Sequence, residues 1–171
     1  MKSKIVILVG NIGSGKSTFS RFFVNKGFVV TARDGIRYTL GAGTYLFDPT
    51  IEPVVWASEL YLFQQLLKTH KNIVVDEINV SKAFRKRLFK VIKPYRKYYD
   101  ICCIELPRLS KDICIKRRLK DNHGNNSYDV WRGVWERFDS IYETPVHTEG
   151  FDNIIKVKNM TLKEVYHAIY K

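Results

Sequence analysis

Two rhythms of apolar residues alternate along the chain. Residues 4–9, 28–31, 72–75, 100–105 and 153–157 are short runs of mostly apolar residues with little internal alternation. That pattern predicts strands covered on both faces. Between the runs, apolar residues recur every three or four positions. Val55, Leu60, Phe63 and Leu67 predict a helix from Pro53 to Leu67, with the proline suited to its first turn. Trp131, Val134, Trp135 and Phe138 predict another from Tyr128 to Ile141, with both tryptophans in the core. Helices are also expected over Lys16–Asn25 (ended by Gly27), from a Ser81 cap to Lys93 before Pro94, and from a Ser110 cap to about Lys120. Thr161-Leu162-Lys163-Glu164 forms a capping box that opens the last one.

Strands alternating with helices imply βαβ units. The expectation is a single α/β domain over residues 1–171, with a mainly parallel sheet of four to five strands flanked by helices. The polar run Asp121-Asn122-His123-Gly124-Asn125-Asn126 has no packing pattern and suits a mobile cover between two helices.

Composition narrows the class. The chain has 171 residues, 45% of them hydrophobic, enough for one core and against wholesale disorder. No apolar stretch approaches the roughly 20 residues that cross a bilayer, so no membrane partner is expected. The run ending at Val9 is too short for a signal-peptide core. Cys102, Cys103 and Cys114 are odd in number and lie among apolar neighbours, so they read as reduced thiols of a cytoplasmic protein (the host cytoplasm, if viral). His70, His123, His147 and His167 lack metal-ligand spacing, although His123 in the cover could reach a phosphate.

Charge adds a partner class. The net charge is +12, and residues 82–120 hold 14 of the 29 basic residues but 3 of the 17 acidic ones. Concentrated positive charge attracts polyanions. Phe84, Phe89, Tyr95, Tyr98 and Tyr99 interleave with Lys82, Arg85, Lys86, Arg87, Lys90, Lys93, Arg96 and Lys97, a pattern suited to a basic rim with aromatic platforms for single-stranded nucleic acid. Phe84 and Leu88, at helical spacing, read instead as core.

The strongest chemical signal follows the first strand. Gly10-Asn11-Ile12-Gly13-Ser14-Gly15-Lys16-Ser17, then Thr18, satisfies G-x-x-x-x-G-K-[ST] between a buried strand and a helix. Glycines let successive backbone N–H groups converge on phosphate oxygens, and the helix aims its positive end at the same anion. Lys16 supplies a cation for the β and γ phosphates, and the Ser17 hydroxyl suits Mg²⁺. No Asn-Lys-x-Asp guanine motif occurs, which favours ATP, and the chain lacks room for a processive motor. A kinase needs an acceptor site, and Arg33-Asp34-Gly35-Ile36-Arg37 ends the second strand at the sheet's carboxyl edge, where ligands bind. Asp34 there could accept the proton of an attacking hydroxyl, and Arg37 could fork onto an acceptor phosphate. An N-cap aspartate followed by a first-turn arginine would give the same spacing.

The Gly-Ser-Gly-Lys-Ser-Thr loop followed by Arg33-Asp34-x-x-Arg37 resembles the kinase domain of phage-type polynucleotide 5′-hydroxyl kinases. The segment Tyr142-Glu143-Thr144-Pro145, followed by Glu149-Gly150-Phe151-Asp152 before the last strand, resembles related kinase domains. The resemblance runs from Lys4 to about Val157. It implies a P-loop kinase fold with a helical lid at about residues 110–141. It also implies that Gly10, Asn11, Gly13, Ser14, Gly15, Lys16, Ser17 and Thr18 hold ATP and Mg²⁺. Asp34 would activate the 5′-hydroxyl of a strand and Arg37 would grip the adjacent phosphate. Asp76, Glu77 and Asn79 would line the acceptor pocket, with Asp76 or Glu77 organising the metal's waters. Arg117 matches the first lid arginine. A second is expected a turn later, where the chain reads Lys120-Asp121, so either Arg118 or Lys120 takes that role. A 171-residue chain has no room for the 3′-phosphatase domain of many phage members, and no D-x-D-x-[TV] run occurs. End healing at the 3′ side would then come from another protein or not be needed, and a separate ligase could be a functional partner.

The expected function is therefore transfer of the ATP γ-phosphoryl group to the 5′-hydroxyl of RNA or DNA in end repair. The alternatives are a small-molecule kinase acting on a nucleoside or nucleotide, and an ATP-dependent nucleic-acid-binding switch.

Overall fold

The computed structural model describes residues 2–121 and 126–171. Most of the expected polar cover, residues 122–125 including His123, therefore lies outside the described residues. Five strands, β1 (Ser3–Val9), β2 (Val29–Thr31), β3 (Ile73–Val75), β4 (Tyr99–Glu105) and β5 (Asn153–Lys156), form one sheet. Its order is β2-β3-β1-β4-β5, and every pairing is parallel. Strands β2 and β3 lie on one side of β1 and β4 and β5 on the other, so the crevice at the carboxyl end of β1 is the topological switch point.

Seven helices flank the sheet: α1 (Lys16–Val24), α2 (Arg33–Leu40), α3 (Glu52–Lys68), α4 (Lys82–Ile92), α5 (Lys111–Lys120), α6 (Tyr128–Ser140) and α7 (Leu162–Ala168). The uninterrupted apolar run of β1 is explained by two cores. Ile5, Ile7 and Val9 pack with Phe63, Leu67 and Leu88 on one face, and Val6 and Leu8 pack with Phe19, Phe23 and Val165 on the other. A third cluster of Ile12, Ile115 and Trp131, joined by Val134, Trp135 and Phe138, seats α5 and α6 on the loop after β1. The two helices of the expected lid are thus packed against that loop. No helix among the described residues is long and apolar enough to cross a membrane. The three cysteines are free thiols buried in the fold.

Local signals mostly act as expected. The Ser81 and Thr161 hydroxyls accept the N–H groups of Phe84 and Glu164. Ser110 stands at the N-cap of α5, but its hydroxyl makes no capping bond. α2 has no apolar stripe to reveal it, because its buried residue is Arg37. Asp34 sits inside its first turn, and the N-cap is Ala32.

The segment Tyr142 to Asp152 is a set of fasteners. The Tyr142 hydroxyl donates to Glu105 (2.6 Å), and the Glu149 carboxylate takes a fork from Arg85 (2.7 and 2.8 Å). Gly150 has φ 115°, and a Cβ there would stand 3.1 Å from the Phe89 ring. Phe151 is core, while Asp152 accepts the Ile101 N–H (2.6 Å) and the Arg96 guanidinium (2.5 Å). These contacts correct part of the expected basic and aromatic rim. Arg85 is fully buried, Tyr99 is fully buried and donates to the Leu67 carbonyl, and Phe89 packs on the core. Tyr98 stacks on His70 at the amino edge of the sheet, away from the phosphate loop.

Candidate active site

The loop from Gly10 to Gly15 joins β1 to α1. Gly13 (φ 64°) and Gly15 (φ 104°) adopt left-handed backbone that disfavours side chains. At Gly13 space forbids them as well, since a Cβ would lie 2.3 Å from the Cys114 carbonyl of α5. Lys16, the first residue of α1, folds back so that its ammonium donates to the Gly10 and Asn11 carbonyls (2.9 and 2.8 Å). Burial lowers its pKa to about 8, although Asp76 opposes the shift. The Ser14 hydroxyl is buried with no hydrogen-bond partner among the described residues. An orphaned hydroxyl, a helix N-terminus and a cation held on the loop's own carbonyls fit the terminal phosphates of a nucleotide. Ser17 and Thr18 lie exposed on the first turn of α1. Asn11 is a partial correction: its side chain accepts the Ile12 N–H (2.7 Å) and donates to the Trp135 carbonyl (3.0 Å), which ties the loop to α6.

Asp76 follows β3 and faces this cradle. Desolvation raises its pKa, and Lys16 and the Ser20 and Ser17 hydroxyls pull it back down. The Ser17 hydroxyl and Asp76 carboxylate are two hard oxygen donors side by side. They fit Mg²⁺, which keeps most of its waters and takes few protein ligands. No cluster of three His, Cys, Asp or Glu capable of holding a metal occurs among the described residues.

Glu77 and Asn79 are placed otherwise than expected for an acceptor pocket. Glu77 accepts the Arg33 backbone N–H (2.6 Å) and both Nε (2.6 Å) and Nη2 of its guanidinium. Desolvation raises its pKa, with Arg33 opposing. Asn79 is buried with φ 47°, and its amide donates to the Leu8 and Glu77 carbonyls (3.0 and 3.4 Å), pinning the turn after β3 onto β1. The Glu77 carboxylate and the Asn79 amide N–H groups are thus taken up by internal bonds.

Asp34 and Arg37 are joined. The Arg37 Nη1 donates to Asp34 Oδ1 (2.7 Å), which also receives the Tyr45 hydroxyl (3.2 Å). Arg37 Nε and Nη2 form a fork to Glu52 (2.8 and 2.6 Å). This arginine is only 8% exposed, so three of its five donors serve a buried network; a grip on phosphate must come from what remains. Asp34 stays 39% exposed at its side chain. It lies within electrostatic reach of Lys16 at the phosphate cradle.

Helix α5 brings two arginines to the site. Arg117 reaches the loop and donates to the Gly13 carbonyl (3.2 Å). Arg118 stands 3.7 Å from Asp34 Oδ2, rests over the Trp131 ring (4.5 Å) and keeps its Nε buried without a partner among the described residues. Lys120 is exposed at the end of the helix, so of the two candidates Arg118 is the one beside Asp34.

Sequence reasoning missed Glu52, Tyr45 and Trp56. Glu52 and Tyr45 lie 15 and 11 residues from their partners, on separate elements, and no local motif links them. Trp56 carries the Arg33 guanidinium 3.6 Å from its ring centroid and Arg87 at 4.8 Å. Glu52→Gln removes the charge that clasps Arg37. It is expected to cost roughly 1–3 kcal/mol of stability and to raise the acceptor KM more than it lowers kcat. Thermal melts and steady-state kinetics check this, and an unchanged acceptor KM would show that the clasp does not position Arg37.

A family model described as AAA domain matches residues 5–145. Among solved structures, the chain is similar to a fungal RNA kinase at 14% identity, covering 98% of this chain and 82% of that one with TM-score 0.63. It is similar to a chain of the Pnkp1/Rnl/Hen1 RNA repair complex at 24% identity and TM-score 0.60, covering 83% of this chain but 47% of that one. It also resembles the Mycobacterium tuberculosis APS kinase CysC in complex with AMPPNP and APS, at 19% identity, 99% coverage of both chains and TM-score 0.63. At these identities the likeness concerns the fold.

Proposed function

From the chain's membership of the AAA-domain family, with a P-loop kinase fold, we propose that it transfers the γ-phosphoryl group of ATP to the 5′-hydroxyl of an RNA or DNA strand. The observation that carries this reading is the position of Asp34: partly exposed, within electrostatic reach of Lys16 and bracketed by Arg37 and Arg118. A carboxylate there accepts the proton of the attacking hydroxyl while the oxygen displaces ADP in line. The N–H groups of the loop, Ser14 and Lys16 hold the β and γ phosphates. Ser17 and Asp76 would hold Mg²⁺, which offsets charge between those phosphates when bound. Arg117 and Arg118 neutralise the charge that spreads over the transferring group, and no covalent intermediate is needed. The similarity to RNA kinase and RNA repair chains supports a nucleic-acid acceptor, and the 5′-phosphate product suits a separate ligase as functional partner.

The test incubates the protein with γ-labelled ATP and either a 5′-hydroxyl oligonucleotide, a nucleoside or adenosine 5′-phosphosulfate. Label on the strand end supports the proposal. Label confined to a small molecule would move the site to the small-molecule kinases, a class the same fold also houses. Nucleotide-dependent strand binding with no label transfer would make it a switch.

Lys16 adds a pH signature. With its pKa near 8, part of the population is neutral at mildly alkaline pH, and phosphates bind the cation. ATP affinity is expected to fall as pH rises through about 8, with proton uptake on binding. Calorimetry in two buffers of different ionisation enthalpy measures that uptake, and Lys16→Met should abolish it.

A further inference from the structure

α4 is a basic helix without a single acidic residue. Its buried side is formed by Arg85, Leu88 and Ile92. At 100° per residue, Lys82, Lys86, Arg87 and Lys90, with Lys93 just beyond, share the opposite arc, and all are exposed. Some cations elsewhere in the fold are spent on ion pairs, as at Lys4, Arg33, Arg37, Arg85, Arg96 and Lys111. Among the described residues, none of the five on this arc has a carboxylate at salt-bridge distance. Glu143 caps the helix start through the Lys82 backbone N–H (2.7 Å), and buried Glu59 lies within electrostatic reach of Arg87 without touching it. Five uncompensated cations on one helix face repel one another and are held at a cost unless a polyanion covers them.

The arc is continuous with the candidate active site. α4 begins where the turn after β3 ends, close to Asp76, and runs from the carboxyl edge of the sheet toward the amino edge. Arg87 lies over Trp56, Trp56 carries Arg33, and Arg33 adjoins Asp34. We propose that the exposed arc of α4 binds the sugar-phosphate backbone of the acceptor strand downstream of its 5′ end, with Trp56 and Arg87 as the step between pocket and helix. Lysines spaced four apart rise about 6 Å per step along the helix, a ladder of point charges suited to a flexible backbone rather than to base reading. This rests on the nucleic-acid reading of the site, and it adds a consequence: long acceptors gain affinity over a nucleoside 3′-phosphate.

The test compares wild type with Lys86→Ala/Arg87→Ala/Lys90→Ala and with a control, Lys158→Ala/Lys163→Ala, that removes surface charge elsewhere. Binding of a 5′-phosphorylated single strand of about 12 nucleotides is titrated against salt, which requires no catalysis. The triple variant should bind at least about tenfold more weakly, with its salt slope shallower by roughly 2, while the control matches wild type. In the kinase assay it should raise KM for the 5′-hydroxyl strand and leave a nucleoside 3′-phosphate unaffected. Unchanged affinity and slope in the triple variant, or equal losses in the control, would overturn the proposal. So would an acidic peptide that competes as well as an oligonucleotide of equal charge. If no 5′-hydroxyl is phosphorylated by wild type but the salt titration behaves as expected, the arc stands and the kinase reading alone fails.

Discussion

Asp34→Asn is expected to lower the rate of phosphoryl transfer by about 10²–10⁴-fold, the usual contribution of a positioned general base. The amide is nearly isosteric, so its oxygen can still accept from Arg37 Nη1 and Tyr45, the two bonds that Asp34 Oδ1 receives now. What disappears is the capacity to take a proton and the charge facing Arg118. ATP binding should persist, because the cradle of Gly10 to Ser17 makes no hydrogen bond to Asp34 among the described residues, and Asp34 acts on Lys16 only through space. The expected pattern is a collapsed kcat with near-normal nucleotide affinity, measured by single-turnover transfer beside equilibrium ATP titration. A variant that turns over at the wild-type rate would remove Asp34 as the base.

Arg85→Ala should destabilise the protein by about 3–5 kcal/mol, the usual penalty for removing one member of a buried ion pair. Arg85 has no exposed surface, and its guanidinium forks onto Glu149 while donating to the Asn79 carbonyl (3.0 Å). The truncation strands the Glu149 carboxylate, frees the Asn79 turn behind Asp76 and opens a cavity beside Leu88. A double variant, Arg85→Leu/Glu149→Leu, should recover part of the loss, since an apolar pair leaves no charge unpaired. Denaturant unfolding of both proteins measures this. A midpoint unmoved by Arg85→Ala would mean that the pair contributes nothing. Arg87→Ala, two residues away and exposed, should leave the midpoint nearly unchanged.

That contrast shows where sequence patterns stop being informative. Arg85 and Arg87 have the same chemistry and the same basic neighbours, and helical geometry alone assigns them different faces. Which face would swallow a charge depended on Glu149, 64 residues further along. The Tyr142 to Asp152 segment was legible as a family signature, yet its residues chiefly fasten α4 and β4 to the core, with Tyr142 also bordering the cavity beside Gly10, Asn11 and Ser14. Likewise, the acidic pair after β3 was visible as two carboxylates, but their division of labour was not. Asp76 turns to Lys16 and Ser17, whereas Glu77 turns to Arg33, because successive side chains leaving a strand point to opposite sides. α2 escaped notice because its buried position is an arginine, so there was no apolar period to find.

The amino-acid sequence by itself determined the parallel α/β architecture, the phosphate loop and the caps of α4 and α7, because each depends on contacts within a few residues or on a short apolar period. Only the tertiary structure decided which cations are paired and which are free, that Arg37 is clasped by Glu52, and that Arg118 rather than Lys120 meets Asp34. Those outcomes are pairings between distant segments, and charge chooses its partner by proximity in space, which no local pattern encodes.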